Sequence, residues 1–257
     1  MAQKKHYAFV IDLSRCIDCR ACLVACSVEN NVPLKHTRIW VQDQGVQGTF
    51  PNLSRMFVPY NCMHCDKPAC VDVCVSGATY KDKDTGLVMV DQDACIGCGF
   101  CVSACPYGVR YINETRGVVD KCNACSQRLD VGLQPACVAT CVGKSRMFGD
   151  LNDPNSDASK ALRNAKSVMR MDYEKMGVDT DPNIFYINTP ELETIISSDQ
   201  FGQQNASLPT DPQYTLSEEG WKKVVIPIMG GAMGAAFLVQ AVFFTKQLIE
   251  GEKEFEE

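Results

Sequence analysis

The sequence predicts an α+β chain of two pseudo-symmetric modules with long loop insertions, followed by a single C-terminal transmembrane helix. Three observations carry that prediction. The 16 cysteines fall into four runs of four, with none left over. Short apolar strands enter and separate the runs. One uncharged apolar stretch near the C-terminus is about as long as a bilayer core is thick.

Cys16, Cys19, Cys22 and Cys26 are spaced C-x2-C-x2-C-x3-C, and Cys95, Cys98, Cys101 and Cys105 repeat that spacing with Pro106 behind the last. Cys62, Cys65, Cys70 and Cys74 widen the middle gap to four residues, and Cys122, Cys125, Cys137 and Cys141 widen it to eleven. The first spacing with its trailing proline is the bacterial ferredoxin pattern for [4Fe–4S] clusters. A cubane takes one thiolate per iron, so 16 thiolates divide into four complete clusters. Disulfide frameworks belong to short secreted domains with poor cores, whereas 257 residues at 46% hydrophobic content can bury a core unaided. Structural zinc uses paired C-x2-C hooks, which the two outer groups resemble. Three ligands crowded into C-x2-C-x2-C suit a cluster wrapped corner by corner.

In such runs the first three cysteines hold one cluster and the fourth reaches to the other cluster of the pair. Four runs therefore make two ferredoxin-like modules, a double ferredoxin fold. Tyr7 to Leu13 reads as a strand entering the first run, and residues 27–61, around a Gln/Gly-rich stretch, as strand and loop. Runs two and three are natural neighbours across a hairpin from Tyr80 to Gln92 with the turn Lys83-Asp84-Thr85-Gly86. They define an inner module over about residues 60–110. Runs one and four close around it as an outer module, from about 5–30 and 115–149.

After residue 149 cysteine disappears and Asp, Asn, Ser and Pro dominate. Ser156 followed by Ala158 to Met171 reads as a capped helix of about four turns, and Asn183 to Asn188 as a short strand. The rest of 150–220 reads as an extended arm lying on a partner subunit. Residues 221–246 carry the membrane signal: Val224 to Phe244 is uncharged, with Trp221, Lys222 and Lys223 before it and Lys246 after it. Gly230 and Gly234 have the spacing of close helix–helix contact. Residues 247–257 form an acidic tail. Lysines flank the span on both sides, so the charge count leaves its orientation open.

The net charge of −6 argues against a nucleic-acid partner. There is no phosphate-binding loop, no nucleophile elbow and no dinucleotide fingerprint. The N-terminus shows neither an apolar leader core nor a twin arginine. The chain reads as an electron conduit without substrate chemistry of its own. A self-contained membrane-tethered polyferredoxin serving soluble redox partners is the alternative to a subunit of a complex.

Several stretches make the reading more specific: Asp12 to Cys22, Cys62 to Cys70 with His64 inside it, Cys105 to Tyr111, and Asp120 to Cys125. They resemble the four-cluster iron–sulfur subunits of the dimethyl-sulfoxide-reductase superfamily, over roughly residues 5–150. Val75 and Val142 depart from it, standing where the family commonly has proline. The resemblance implies a crossed set of ligands. Cluster 1 takes Cys16, Cys19, Cys22 and Cys141, and cluster 2 takes Cys122, Cys125, Cys137 and Cys26. Cluster 3 takes Cys95, Cys98, Cys101 and Cys74, and cluster 4 takes Cys62, Cys65, Cys70 and Cys105. Some relatives lose a ligand and carry a [3Fe–4S] cluster; this chain keeps all sixteen cysteines, so four cubanes are expected, with one labile iron still compatible.

The resemblance also implies partners: a molybdopterin-family large subunit, a multi-span quinone-binding membrane subunit, and in some complexes a multihaem cytochrome c. The outer module is expected to face the catalytic subunit and the inner one the quinone. The implied setting is the cytoplasmic membrane of a bacterium, anaerobic respiration, and a cluster domain on the periplasmic side in contact with membrane lipid. His64 stands beside the cluster expected nearest the membrane, where it would tune a potential, approach a quinone, or simply pack.

Overall fold

The computed structural model describes residues 4–171 and 179–188. In chain order these form β1 (Tyr7–Asp12), α1 (Ala21–Glu29), β2 (Ile39–Thr49), β3 (Asn52–Asn61), α2 (Ala69–Asp72), β4 (Thr79–Lys81), β5 (Val88–Val90) and α3 (Phe100–Ser103). There follow β6 (Arg110–Asn113), β7 (Val118–Lys121), α4 (Ser126–Leu129), α5 (Ala136–Ala139), β8 (Arg146–Asp150), α6 (Asp157–Asn164), β9 (Val168–Arg170) and β10 (Ile184–Ile187).

β1 is apolar almost throughout because both of its faces are covered. Phe9 and Ile11 point into the main core, while Val10 packs with Ala158 and Ile187 beneath α6. Both edges of β1 are paired, antiparallel to β8 and parallel to β10, in a sheet ordered β8-β1-β10-β9. Antiparallel hairpins join the successive cysteine runs: β2–β3, β4–β5 and β6–β7. The β4–β5 turn closes as its residues suggest, with Thr85 Oγ1 donating to Asp82 at 2.6 Å and the Gly86 amide to Asp82 O at 2.9 Å. Cys22, Cys26, Cys62, Cys122 and Cys137 belong to the same core as Phe9, Ile39, Tyr60, Tyr107 and Tyr186. The cysteines are thus built into the interior.

Two expectations are corrected here. The helix begins as expected, with the Ser159 amide donating to the Ser156 hydroxyl at 3.1 Å, but it ends at Asn164. Ala165 is extended (φ −72°, ψ 139°), and Val168–Arg170 then pairs with Phe185–Ile187. A β-branched residue and a waiting strand edge outweigh the helical pattern that runs on to Met171. Likewise the cluster domain does not end at residue 149. Through residue 188 the expected arm supplies α6, β9 and β10, since a buried β1 needs hydrogen-bond partners on both edges. The rest of that arm, the expected membrane helix at 221–246 and the acidic tail lie outside the described residues. Among the described residues no helix is long and apolar enough to cross a membrane.

Candidate metal centres

Each run needs a loop that turns three thiols toward one point, and the backbone shows how this is done. The residue before the second cysteine is left-handed in all four runs: Asp18 (φ 51°), His64 (φ 46°), Gly97 (φ 68°) and Ala124 (φ 55°). Three of these carry a side chain, which makes the conformation costly for them. At Gly97 nothing else fits, because a Cβ would lie 2.2 Å from Gly117 O. The third cysteine then opens a helix in all four runs: Cys22 on α1, Cys70 on α2, Cys101 on α3 and, across the widened gap of run four, Cys137 on α5.

After the fourth cysteine the chain reverses in three runs, with Gly77, Gly108 and Lys144 amides each donating at 3.1 Å to the carbonyls of Cys74, Cys105 and Cys141. Run one differs, since α1 carries both Cys22 and Cys26 one turn apart and continues to Glu29. α1 packs against α5 and α2 against α3, which brings run one to run four and run two to run three.

Cys16, Cys19, Cys22 and Cys141 line one cavity, and Cys62, Cys65, Cys70 and Cys105 line another. Asn30 Nδ2 lies within 3.7 Å of both Cys26 and Cys125, and α1 packs on α5, which carries Cys137. Burial, followed by the Cys122, Cys137 and Cys125 thiols, pushes Cys26 far up; these four make the third group. For Cys74, Cys95, Cys98 and Cys101 the link is the packing of α2 on α3 alone. Among the described residues no three His, Cys, Asp or Glu side chains are placed to hold a single metal ion. The thiols surround space for a multi-atom group instead.

The groups form a series. Burial raises the Cys122 thiol to about 12, and Cys137 of its own group and Cys62 of the next add to this. Burial also raises Cys137, with Arg146 opposing and Cys125 and Cys22 adding. Burial works to lower the Arg110 pKa, but Cys70, Cys62 and Cys101 hold it above its ordinary value. Contacts give the order. α1 carries Cys22 and Cys26 and so joins the Cys16 and Cys122 groups. Asn61, beside Cys62, lies 3.7 Å from Cys122 Sγ, and α2 with Cys70 packs on α3 with Cys101. The series therefore runs from the Cys16 group through the Cys122 and Cys62 groups to the Cys95 group. Of the sixteen cysteines only Cys19 and Cys98 are exposed, one in each terminal group. Exposed apolar side chains stand beside both: Ile17 and Val142 by the first, Ile96, Phe100 and Val75 by the last.

Donors surround the sulfurs. Arg110 Nη2 donates to Cys70 Sγ at 2.9 Å, the Thr79 amide to Cys74 at 3.2 Å and the Val119 amide to Cys95 at 3.4 Å. Asn30 Nδ2 lies 3.7 and 3.6 Å from Cys26 and Cys125, and Asn61 Nδ2 3.7 Å from Cys122. Other buried donors have no partner among the described residues, including Arg146 Nε and Nη1 and His64 Nε2. Buried donors are normally paired, so these fit an anionic, sulfur-rich occupant. The thiol groups and orphan donors together fit [4Fe–4S] clusters.

His64 is corrected in one respect. It is 1% exposed, so it offers no face to a quinone on a neighbouring subunit. The Val88 amide donates to Nδ1 at 3.1 Å, which leaves the proton of the neutral ring on Nε2. Burial, then Lys121, Lys81 and Arg110, hold its pKa well below the ordinary value. The buried cations Arg38, Arg110, Lys121 and Arg146 were not legible as site residues, since a lysine or arginine in a sequence ordinarily marks surface. Lys121 directly precedes Cys122, the one local hint.

This fold and these centres define an iron–sulfur electron-transfer protein. Comparison with known proteins makes that specific. Residues 53–151 match a family described as a 4Fe-4S dicluster domain, and residues 8–75 match a second of the same description. A tetrathionate reductase subunit of Salmonella typhimurium is 40% identical over 72% of this chain and 73% of its own length. Protein NrfC of Escherichia coli K12 is 41% identical over 71% and 80%. A putative dimethyl sulfoxide reductase iron-sulfur subunit of Halobacterium salinarum is 38% identical over 71% and 79%. The chain belongs to the four-cluster [4Fe–4S] electron-transfer subunits of the dimethyl-sulfoxide-reductase superfamily, and it holds four [4Fe–4S] clusters.

Proposed function

We propose that this chain is the electron relay of a membrane-bound respiratory reductase, joining a molybdopterin-type catalytic subunit to a membrane subunit that handles quinone. The observation that carries the reading is the series of thiol groups whose two exposed cysteines, Cys19 and Cys98, lie in its two terminal groups. [4Fe–4S] clusters supply one-electron transfer at potentials set by charge, hydrogen bonds and exposure. The protein's own part is to hold the thiols in order, exclude water from the middle groups and leave one sulfur ligand accessible in each terminal group. Cluster 1 would be held by Cys16, Cys19, Cys22 and Cys141, cluster 2 by Cys122, Cys125, Cys137 and Cys26, cluster 4 by Cys62, Cys65, Cys70 and Cys105, and cluster 3 by Cys95, Cys98, Cys101 and Cys74.

The names of the relatives support a reductase partner: tetrathionate, dimethyl sulfoxide and selenate reductases are among them. On this reading the Cys16 end meets the catalytic subunit and the Cys95 end the membrane subunit. The exposed apolar residues at both ends suit permanent interfaces. A multihaem cytochrome c is the other donor or acceptor compatible with the relay. The apolar stretch Val224 to Phe244 would anchor the chain in the cytoplasmic membrane of a bacterium, with the cluster domain on the periplasmic side.

A photo-crosslinking residue placed at Ile17 is expected to capture the large catalytic subunit, and one at Phe100 a multi-span membrane subunit. Capture of the same partner from both positions would refute the two-ended relay. In protease-treated spheroplasts the cluster domain should be digested and a tag behind Glu257 protected; the reverse pattern overturns the orientation.

A further inference from the structure

Arg110, Lys121 and Arg146 are 4%, 3% and 2% exposed. Among the described residues none of the three pairs with a carboxylate, whereas the fourth buried cation, Arg38, binds Asp120 at 2.6 Å. A buried cation without a counter-charge is strongly destabilising, so the position of each one matters. Arg110 donates to Cys70 Sγ at 2.9 Å, and its β6 packs against α3, the helix that carries Cys101. Lys121 Nζ donates to Cys122 O at 2.7 Å and also to Val88 O; Val88 lines the cavity of the Cys62 group. Arg146 lines the cavity of the Cys16 group and donates to Asn61, whose amide lies 3.7 Å from Cys122 Sγ. One cation therefore stands at each of the three steps of the series.

We propose that Arg110, Lys121 and Arg146 are the shared counter-charges of the electron path, each raising the reduction potentials of the two clusters it separates. The inference rests on the ligand sets proposed above. Thiolate-ligated clusters are anionic, and an added electron makes them more so, while Coulomb interactions weaken little in a buried, low-dielectric setting. Each cation favours the electron on either side of it and offsets the repulsion between neighbouring anions. Arg146 is the best placed for this task, because its buried Nε and Nη1 have no partner among the described residues. A purely structural role, in which Lys121 only ties together the carbonyls of Val88 and Cys122, makes a different prediction.

The test is an EPR-monitored redox titration of the holo-protein, with iron and sulfide counted on the same samples. In Lys121→Met the reduced-to-oxidised ratio of the Cys62 and Cys122 clusters should fall about tenfold at a fixed ambient potential, equivalent to about 59 mV for one electron. The Cys16 and Cys95 clusters should stay where they were. In Arg146→Gln the affected pair should instead be the Cys16 and Cys122 clusters, and Lys121→Arg should restore the wild-type values. Full iron content with unmoved potentials, or equal shifts at all four clusters, overturns the inference. So does loss of iron in both neutral variants with unshifted potentials in the clusters that remain. A mistaken ligand assignment shows up separately, as loss of the wrong cluster in a cysteine variant.

Discussion

Cys26→Ala should abolish the cluster of the Cys122 group and spare that of the Cys16 group, although Cys26 belongs to the first run. α1 carries Cys22 and Cys26 one turn apart, and its packing on α5 turns the second of them toward Cys137. Cys122, Cys125 and Cys137 are the thiols that raise the Cys26 pKa once burial has done so. Cys26 is also 5% exposed, so water offers no substitute ligand. The expected loss is about four irons per chain, one cubane's worth, together with one EPR signal. Loss confined to the cluster bound by Cys16, Cys19 and Cys22 would contradict the crossed arrangement.

A chain ending after Met171 should fail to retain its clusters, even though every cysteine is present. It lacks β10, so one edge of β1 loses its partners, from Phe9↔Ile184 to Asp12↔Ile187. It also loses three backbone bonds that clamp the second run: the Asn183 amide to Met63 O at 2.8 Å, and the Asp66 and Lys67 amides to Asp181 O and Thr180 O at 2.8 and 3.0 Å. Ile184 and Tyr186 are both 0% exposed. Burying side chains of this size is worth roughly 1.5–3 kcal/mol each, against a total stability of about 5–15 kcal/mol. Tyr186→Ala in the full chain gives a graded version, costing about 3–5 kcal/mol, the range for a buried aromatic, and lowering the melting temperature. A truncated chain with full iron and an unchanged melting temperature would show that residues 179–188 are dispensable.

The cluster content was legible in the sequence because cluster binding by a run is local chemistry: three thiols crowded into C-x2-C-x2-C have few other uses. The entry strand was legible for a similar reason, since Ala8 to Ile11 is apolar without alternation. What stayed hidden depended on distant partners. The pairing of Phe9 with Ile184 is parallel and spans most of the described chain, so no local pattern announces it. For the same reason Val168–Arg170 read as the end of a helix. The left-handed turns at Asp18, His64 and Ala124 are imposed by the loops on residues that do not favour them, and only Gly97 advertised its conformation. Arg110, Lys121 and Arg146 read as surface charge until the fold buried them.

The central claim is that sixteen thiols hold four [4Fe–4S] clusters, and a metal and sulfide count on anaerobically purified protein tests it most directly. About sixteen irons and about sixteen acid-labile sulfides per chain are expected, four of each for every cubane. Zinc in place of iron, or iron without a matching amount of sulfide, would contradict it.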